Sequence, residues 1–533
     1  MAEAVYSLDS APSRDLKGLR VFARLPFAVF GVLVVAEIAA ILALNGGMFV
    51  YSLDDAYIHL SLADRIWAGT YGINAGEVSA PASSILWPFL LAVFSPLPAS
   101  AYTLVPLVLN VAAAFATLRL LVAGLRGALT GDGRPFGPAA AIFATGLIFI
   151  VNLVPIIFTG MEHSLQQLLA VVLVRGLMVE GRIAQVPRSA WLAVVLLPIV
   201  RYDSLALAAP ALLYFLWRGH VRGAVLAGLA IGAVLGAFSS FMITHGLDIL
   251  PASVMAKSDV ARSGGLLVLL RNVYSNLAND TQVNILLLGG ILGLAAACDR
   301  GRAAPERGLA CVITAALVVE ILFGRLGAYY RYEAYISGAL VIALLHLYRG
   351  VLARVFAASA PGAGQVIAIG GLTVASLSYL IALASTPAAT NNIYDQQYQM
   401  HRFAVDFYRR PVAVNDLGWM AFRNPSYILD LGGLASREAL LARTHESGPD
   451  WMRRLASAHG VQLAMIYDGW YPQRPPGWIR VGQLTFDQMR VTAGDSKVSF
   501  YATDADSVES IRTALEKFRE TLPKRTGFQF DTP

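Results

Sequence analysis

Residues 25–55, LPFAVFGVLVVAEIAAILALNGGMFVYSLDD, run apolar for about twenty positions, enough to cross a bilayer, and then end in a paired carboxylate, Asp54-Asp55. An ionised carboxylate at the edge of a membrane is costly unless it is solvated, paired or used. The stretch therefore reads as a span whose exit is the mouth of a site. Arg14, Lys17, Arg20 and Arg24 precede it without a convincing small-residue cleavage site, so it reads as an uncleaved signal anchor.

Composition agrees. Of 533 residues 56% are hydrophobic and only 14% charged, which excludes an ordinary soluble domain and points to a polytopic membrane protein. The net charge of +6 falls in short Arg/Lys blocks between apolar runs, a pattern of membrane topology; the partner it implies is a lipid bilayer, not nucleic acid. The two cysteines, Cys298 and Cys311, suggest neither a disulfide framework nor metal-ligand spacing.

Apolar stretches long enough to span lie near 25–46, 100–123, 137–154, 164–180, 223–243, 281–298, 308–324, 335–350 and 364–386, with two shorter ones, 189–200 and 203–217, flanking Arg201-Tyr202-Asp203. The segment 82–96 is short and Pro-bounded. If it spans, the Arg126/Arg134, Arg182/Arg188, Arg218/Arg222, Arg300/Arg302/Arg307 and Arg349/Arg354 loops all fall opposite the basic N-terminus; if it does not, all fall on the same side. It is therefore read as a juxtamembrane or re-entrant helix. The expected fold is an α-helical polytopic membrane protein of about eleven spans, N-terminus inside, with residues 1–24 cytoplasmic, 25–386 in the membrane and 387–533 outside. That last segment is polar, with short β-rich runs at Val412–Val414, Tyr427–Leu429, Leu463–Ile466, Trp478–Val481 and Val498–Tyr501. An amphipathic stretch Ser507–Phe518 and a polar tail follow, which together read as a small α/β domain.

This topology puts the unusual polar residues on one face. Ser52 and Asp55 fit a capping box, so a helix is expected from there to Gly69. Asp54, Tyr57 and Ser61 share one stripe of it. Asp55 could simply cap and Asp54 favour the helix N-terminus. Alternatively Asp54 is a general base for a sugar hydroxyl, its proton affinity raised beside apolar lipid, with Asp55 assisting; Tyr57 is then a substrate-binding candidate.

The run DDAYIHLSLADRIWAGTYGINAGEVSAPASSILWP, residues 54–88, is similar to the first outer loop of GT-C-type membrane glycosyltransferases, above all the terminal arabinofuranosyltransferases of cell-wall arabinan. Downstream, Thr159-Gly160-Met161-Glu162 resembles their Ser/Thr-Gly-Met-Glu, Arg201-Tyr202-Asp203 an Arg-Pro-Asp/Glu turn, and Leu250-Pro251 with Ala256-Lys257 a Leu-Pro-Asn-Thr-x-x-Ala-Lys stretch. Tyr202 stands in place of Pro, and Ala252-Ser253 in place of Asn-Thr. The resemblance covers most of residues 25–350. It implies a GT-C-like fold, a polyprenyl-phosphate-linked sugar as donor, and a glycan or other cell-envelope acceptor on the periplasmic side of a bacterial inner membrane. It also implies that the first acid of the pair is essential. Arabinofuranose, another pentose or a hexose all remain open as the sugar.

Such chemistry needs cations to neutralise the leaving phosphate, and Lys257, Arg201, Arg325 and Arg331 are the candidates. Each residue has a plainer reading. Arg325 and Arg331 sit among Tyr329, Tyr330, Tyr332 and Tyr335, which also describes an interfacial aromatic belt. Glu162 is a second catalytic or metal-binding carboxylate, or an acid at a helix N-terminus. His163 reads as its hydrogen-bonded neighbour more than as a metal ligand, and Arg201 and Asp203 as partners in a tight hairpin more than as substrate contacts. No cofactor is called for with certainty, and a divalent cation stays open. The competing functions are a transporter or flippase of lipid-linked sugars, which should show repeated halves and charges near mid-span, and a scaffold whose outer domain binds a partner.

Overall fold

The computed structural model describes residues 13–130, 137–257, 265–279, 282–357 and 362–531. Every apolar stretch named above is helical: Ser13–Leu44, Val105–Leu129, Pro138–Ile150, His163–Ile183, Arg188–Val200, Leu205–Trp217, Val221–Thr244, Gln282–Cys298, Ala304–Phe323, Ala334–Leu347, and the pair Ala363–Ala375 and Leu377–Asp395. The chain is a helical, multi-pass membrane protein with a C-terminal mixed sheet. Among the described residues, five helices are by themselves long and apolar enough to cross a membrane, and seven spans result when each of two bent pairs counts once. The expected count is larger because it included short helices. Arg188–Val200 and Leu205–Trp217 have 13 residues each, a rise of about 20 Å against a hydrocarbon core of ~30 Å. The segment 82–96 holds a helix of only seven residues, Leu86–Ala92, too short to span.

The helix His163–Ile183 is the hub of the bundle, packed against Val105–Leu129, Arg188–Val200, Ala304–Phe323 and Ala334–Leu347. Close approach depends on small residues, as is general where helices meet in lipid. A methyl at Gly176 would lie 2.2 Å from Ala190 Cβ.

The C-terminal sheet has strands β1 (Val412–Val414), β2 (Ile428–Asp430), β3 (Leu463–Ile466), β4 (Ile479–Phe486), β5 (Lys497–Ala502) and β6 (Thr526–Phe530), in the order β2-β1-β3-β5-β4-β6. The first three are parallel and the rest antiparallel. The polar tail is not a tail: TGFQF alternates buried and exposed residues and pairs with β4, the signature of an edge strand. One face of the sheet is covered by Arg437–His445 and Asp450–Ala458, through Ala439, Trp451 and Leu455. The other carries Ile511, Leu515 and Phe518 of Val508–Arg519 and, from the membrane half, Ile58 and Leu62.

That last contact positions the site. The helix Asp55–Trp67 is buried on every side over Ala56–Ala63. Tyr57, Leu60 and Ala63 join the membrane core, while Ile58 and Leu62 join the core under the sheet. It belongs to both bodies and fixes one on the other. Leu62→Ala should therefore cost about 2–5 kcal/mol and loosen the sheet from the bundle. Limited proteolysis in nanodiscs should release the C-terminal fragment faster than from wild type, whereas truncating the exposed Leu441 should leave the rate unchanged.

Candidate active site

Asp54 ends the first loop in a helical backbone conformation, and its side chain makes no cap to its own helix. The capping box expected from Ser52 and Asp55 does not form, because Ser52 donates to the carbonyl of Phe158 at 3.1 Å. The Asp54 carboxylate instead receives two backbone N–H groups from the C-terminal sheet domain: Gly418 at 2.7 Å and Trp419 at 2.8 Å. They open the short helix Gly418–Ala421. A side chain at 418 is excluded, since a methyl there would lie 2.0 Å from the Asp54 carbonyl oxygen. Trp419 stacks on Tyr57 with ring centroids 3.9 Å apart, and Tyr57 is wholly buried, so Tyr57 is a packing residue rather than the substrate contact expected from its stripe.

Asp55 is paired with Arg331 at 2.9 Å. A third carboxylate, Asp416, comes from the loop after β1, 2.6 Å from the Tyr467 hydroxyl, and accepts from Gln397 at 2.9 Å. Burial first, then the charge of Asp416, pushes the Asp54 carboxyl well above the usual range; the Trp419 N–H opposes this and Asp55 adds to it. Asp54 thus has a raised proton affinity and is held by two amides.

Arg331 owes its place to strained backbone. Gly327, Ala328, Tyr329 and Tyr330 have φ of 86°, 49°, 66° and 56°. Left-handed geometry costs roughly 1–2 kcal/mol per residue for the three that carry a Cβ. The turn is held by Arg331 N–H to the Gly327 carbonyl at 3.2 Å, Gly327 N–H to Glu333 at 3.0 Å and Asn152 to the Tyr330 carbonyl at 2.9 Å. Strain of this kind persists where the surroundings over-determine it. Tyr332 then has the Arg331 guanidinium 5.0 Å from its ring centroid and that of Arg201 at 5.2 Å.

Arg201 is only 8% exposed. It donates to Glu162 at 2.8 Å, to Asp203 at 2.9 Å and to Ser83 at 3.3 Å. His59 lies 3.5 Å from the other Glu162 oxygen. Burial would raise the Glu162 carboxyl, but His59 and Arg201 outweigh it and hold it at about 2. Glu162 and His163 are fully buried, and His163 sits edge-on behind Tyr332. Neither is placed to touch a substrate, as their candidacy required; Glu162 anchors Arg201 from behind.

In front of this network is a cavity of about 320 Å³ whose polar floor is Arg201, Asp203 and Tyr332, with Arg325 at its side and Phe323 and Leu205 as apolar walls. Ser253 and Val254 of the helix Ala252–Lys257 also line it. Lys257 closes that helix, and its side chain lies outside the described residues. The fold therefore gathers Arg201, Asp203 and Arg325 at one cavity, and Tyr332 of its lining lies under Arg331, which holds Asp55. Among the described residues, no group of three or more His, Cys, Asp or Glu could hold a metal ion.

Asp416, Gly418 and Trp419 were not singled out from sequence. The available signal was Asn415-Asp416-Leu417-Gly418 at the carboxyl end of a short β run, where open α/β sheets present their functional loops.

Residues 391–501 match a family model described as a domain of unknown function, DUF8728. No curated protein matches the chain. Among solved structures, it is similar to the oligosaccharyltransferase of Archaeoglobus fulgidus in its apo form, at 13% identity and TM-score 0.44, over 89% of this chain and 74% of that one. It is similar also to arabinofuranosyltransferase AftD from Mycobacteria, at 15% identity and TM-score 0.44, over 90% of this chain but only 42% of that one. The archaeal oligosaccharyltransferase AglB from Archaeoglobus fulgidus, in complex with an inhibitory peptide and a dolichol-phosphate, matches at 12% identity and TM-score 0.45, over 91% and 74%.

Because the folded pKa of Glu162 lies below its ordinary value, the group contributes stability above pH 4.5 that is lost as pH falls toward about 2. Glu162→Gln should lower the melting temperature at neutral pH, by leaving Arg201 short of one counter-charge. It should also flatten the pH dependence of melting between those limits. Scanning fluorimetry of both proteins across that range measures it.

Proposed function

We propose that the chain is an integral-membrane glycosyltransferase of the GT-C type. It moves a sugar, arabinofuranose or another pentose or hexose, from a polyprenyl-phosphate donor to an extracytoplasmic glycan, lipid or protein acceptor. Its setting is the bacterial inner membrane, with residues 1–24 cytoplasmic, 25–386 in the membrane and 387–533 periplasmic. The observation that carries this reading is the connection between Asp54, which has raised proton affinity, and a cation-bearing cavity with an apolar wall: its neighbour Asp55 holds Arg331, and Arg331 lies over Tyr332 of the cavity lining.

The reaction runs as follows. The acceptor hydroxyl oxygen attacks the anomeric carbon and gives its proton to Asp54, while the bond from that carbon to the phosphate oxygen breaks and its electron pair leaves on the phosphate. Asp55 orients Arg331 over the reacting sugar. Arg201 has its charge balanced by Glu162 and Asp203, so it shapes the cavity floor. Arg325, exposed at the cavity side, and Lys257, at the end of the adjoining helix, are the cations offered to the phosphate.

Purified protein in nanodiscs, given a panel of polyprenyl-phosphate sugars and a soluble acceptor, should transfer sugar detectable by mass spectrometry. Asp54→Asn should lose about a hundredfold or more in rate. Arg325→Ala and Lys257→Ala should each weaken donor use about tenfold, the loss of one charge-assisted contact. Near-normal turnover of Asp54→Asn removes it as the base, and passage of the lipid-linked sugar across the bilayer without bond cleavage replaces transfer with flipping. As to orientation, reporter fusions after residue 130 should read cytoplasmic and those after 390 extracytoplasmic; an exported reporter at 130 reverses the assignment.

A further inference from the structure

The Asp54 carboxylate rests on the amides of Gly418 and Trp419, and two residues before them stands Asp416. Gln397 Nε2 is within 2.9 Å of Asp416 Oδ2, 3.0 Å of the Tyr467 hydroxyl and 3.2 Å of Gln396 Oε1, and the close oxygen–oxygen approaches beside it require further hydrogens. The Tyr467 hydroxyl is 2.6 Å from Asp416 Oδ2 and 2.5 Å from Gln396 Oε1. The Gln396 amide cannot be turned round to relieve this, because its nitrogen donates to the Asp495 carbonyl at 2.8 Å. A phenol has one proton and cannot donate to both oxygens at once. All three groups are satisfied when Asp416 carries a proton, donates it to the Tyr467 oxygen, and Tyr467 donates to Gln396.

We propose that Asp416 is a proton-bearing positioning residue of the transfer site, supplied by the C-terminal sheet, which keeps Asp54 ionised by being neutral beside it and holds the Gly418–Trp419 amides on its carboxylate. The inference rests on the glycosyltransferase reading above. The ionisable groups facing Asp416 are Asp54 and Asp55 from the first loop, with Arg331 compensating Asp55, and Tyr467 and Tyr471 from the segment after β3. Burial is the largest influence and raises the Asp416 carboxyl; Tyr467 and Gln397 oppose it, and Asp55 adds to it. With Asp416 neutral, its charge no longer raises the Asp54 carboxyl, whose proton affinity is then raised by burial and Asp55. With Asp416 ionised, a second negative charge would face Asp54, and the 2.5 Å approach of the Tyr467 and Gln396 oxygens would have no hydrogen between them.

The test combines a spectroscopic signature with a pH profile. Difference infrared spectroscopy of the intact protein in nanodiscs should show a protonated-carboxyl stretch at neutral pH that survives Asp54→Asn and disappears in Asp416→Asn. In the transfer assay, wild type should lose rate at alkaline pH as Asp416 ionises. Asp416→Asn, which can still donate to Tyr467, should lack that alkaline limb. Asp416→Ala, which cannot, should be slower by about tenfold at every pH, as expected for a buried partner left unsatisfied. Absence of the band in wild type, or its persistence in Asp416→Asn, overturns the proposal, as does an alkaline limb unchanged in Asp416→Asn. A protein that shows the band and its loss in Asp416→Asn, yet transfers no sugar from any donor, supports the proton on Asp416 and overturns the glycosyltransferase reading instead.

Discussion

The rest of the site depends on one carboxylate and two amides. Asp54 projects from the membrane half and takes the N–H groups of Gly418 and Trp419 from the sheet half. A half-buried carboxylate with no donors would have to be protonated or solvated, and amides opening a short helix would need acceptors. Each half supplies what the other lacks. The contact is sterically exclusive, since only glycine fits at 418, and it is reinforced from the side by Trp419 on Tyr57. The sheet domain therefore completes the site instead of only covering it.

Charge balance divides the remaining polar residues into those that build and those that face the cavity. Arg201 meets two carboxylates, and Glu162, buried completely, has Arg201, His59 and Ser83 around it. A buried pair of this kind contributes little net stability, but removing one partner is severe because the other charge is left in place. The Arg201 corner is a fixed floor for that reason. Arg331, by contrast, is delivered by a left-handed turn that the chain would not adopt on its own, and it meets the one acid of the pair that is not tied to the sheet domain.

What could be read from sequence was what local pattern encodes. The apolar runs all became helical, some as two helices with a break, because span length and composition are local properties. All five short β runs became strands, with some shifts at their ends. In the Arg201-Tyr202-Asp203 turn Arg201 pairs with Asp203 as a local reading expects, but its second acid, Glu162, comes from another loop. The failures are tertiary. Ser52 and Asp55 have the spacing of a capping box, but Phe158 and Arg331 claim their side chains first. Tyr57 lies on the stripe of Asp54, yet Trp419, more than three hundred and fifty positions away in sequence, covers it. The strand TGFQF is too short and too polar to be recognised without β4 beside it.

The same reasoning explains why Asp416 escaped notice and why it matters. A lone Asp after a three-residue strand has no periodicity and no motif strong enough to raise it above the other acids of the C-terminal segment. Its significance comes from proton counting in a closed network, where Tyr467 has one hydrogen for two oxygens. The fold brings this network to within two residues of the amides that hold Asp54. Movement of the sheet relative to the bundle would separate Asp54 from its donors and from Asp416 together, so docking and proton affinity at Asp54 are coupled through a single short loop.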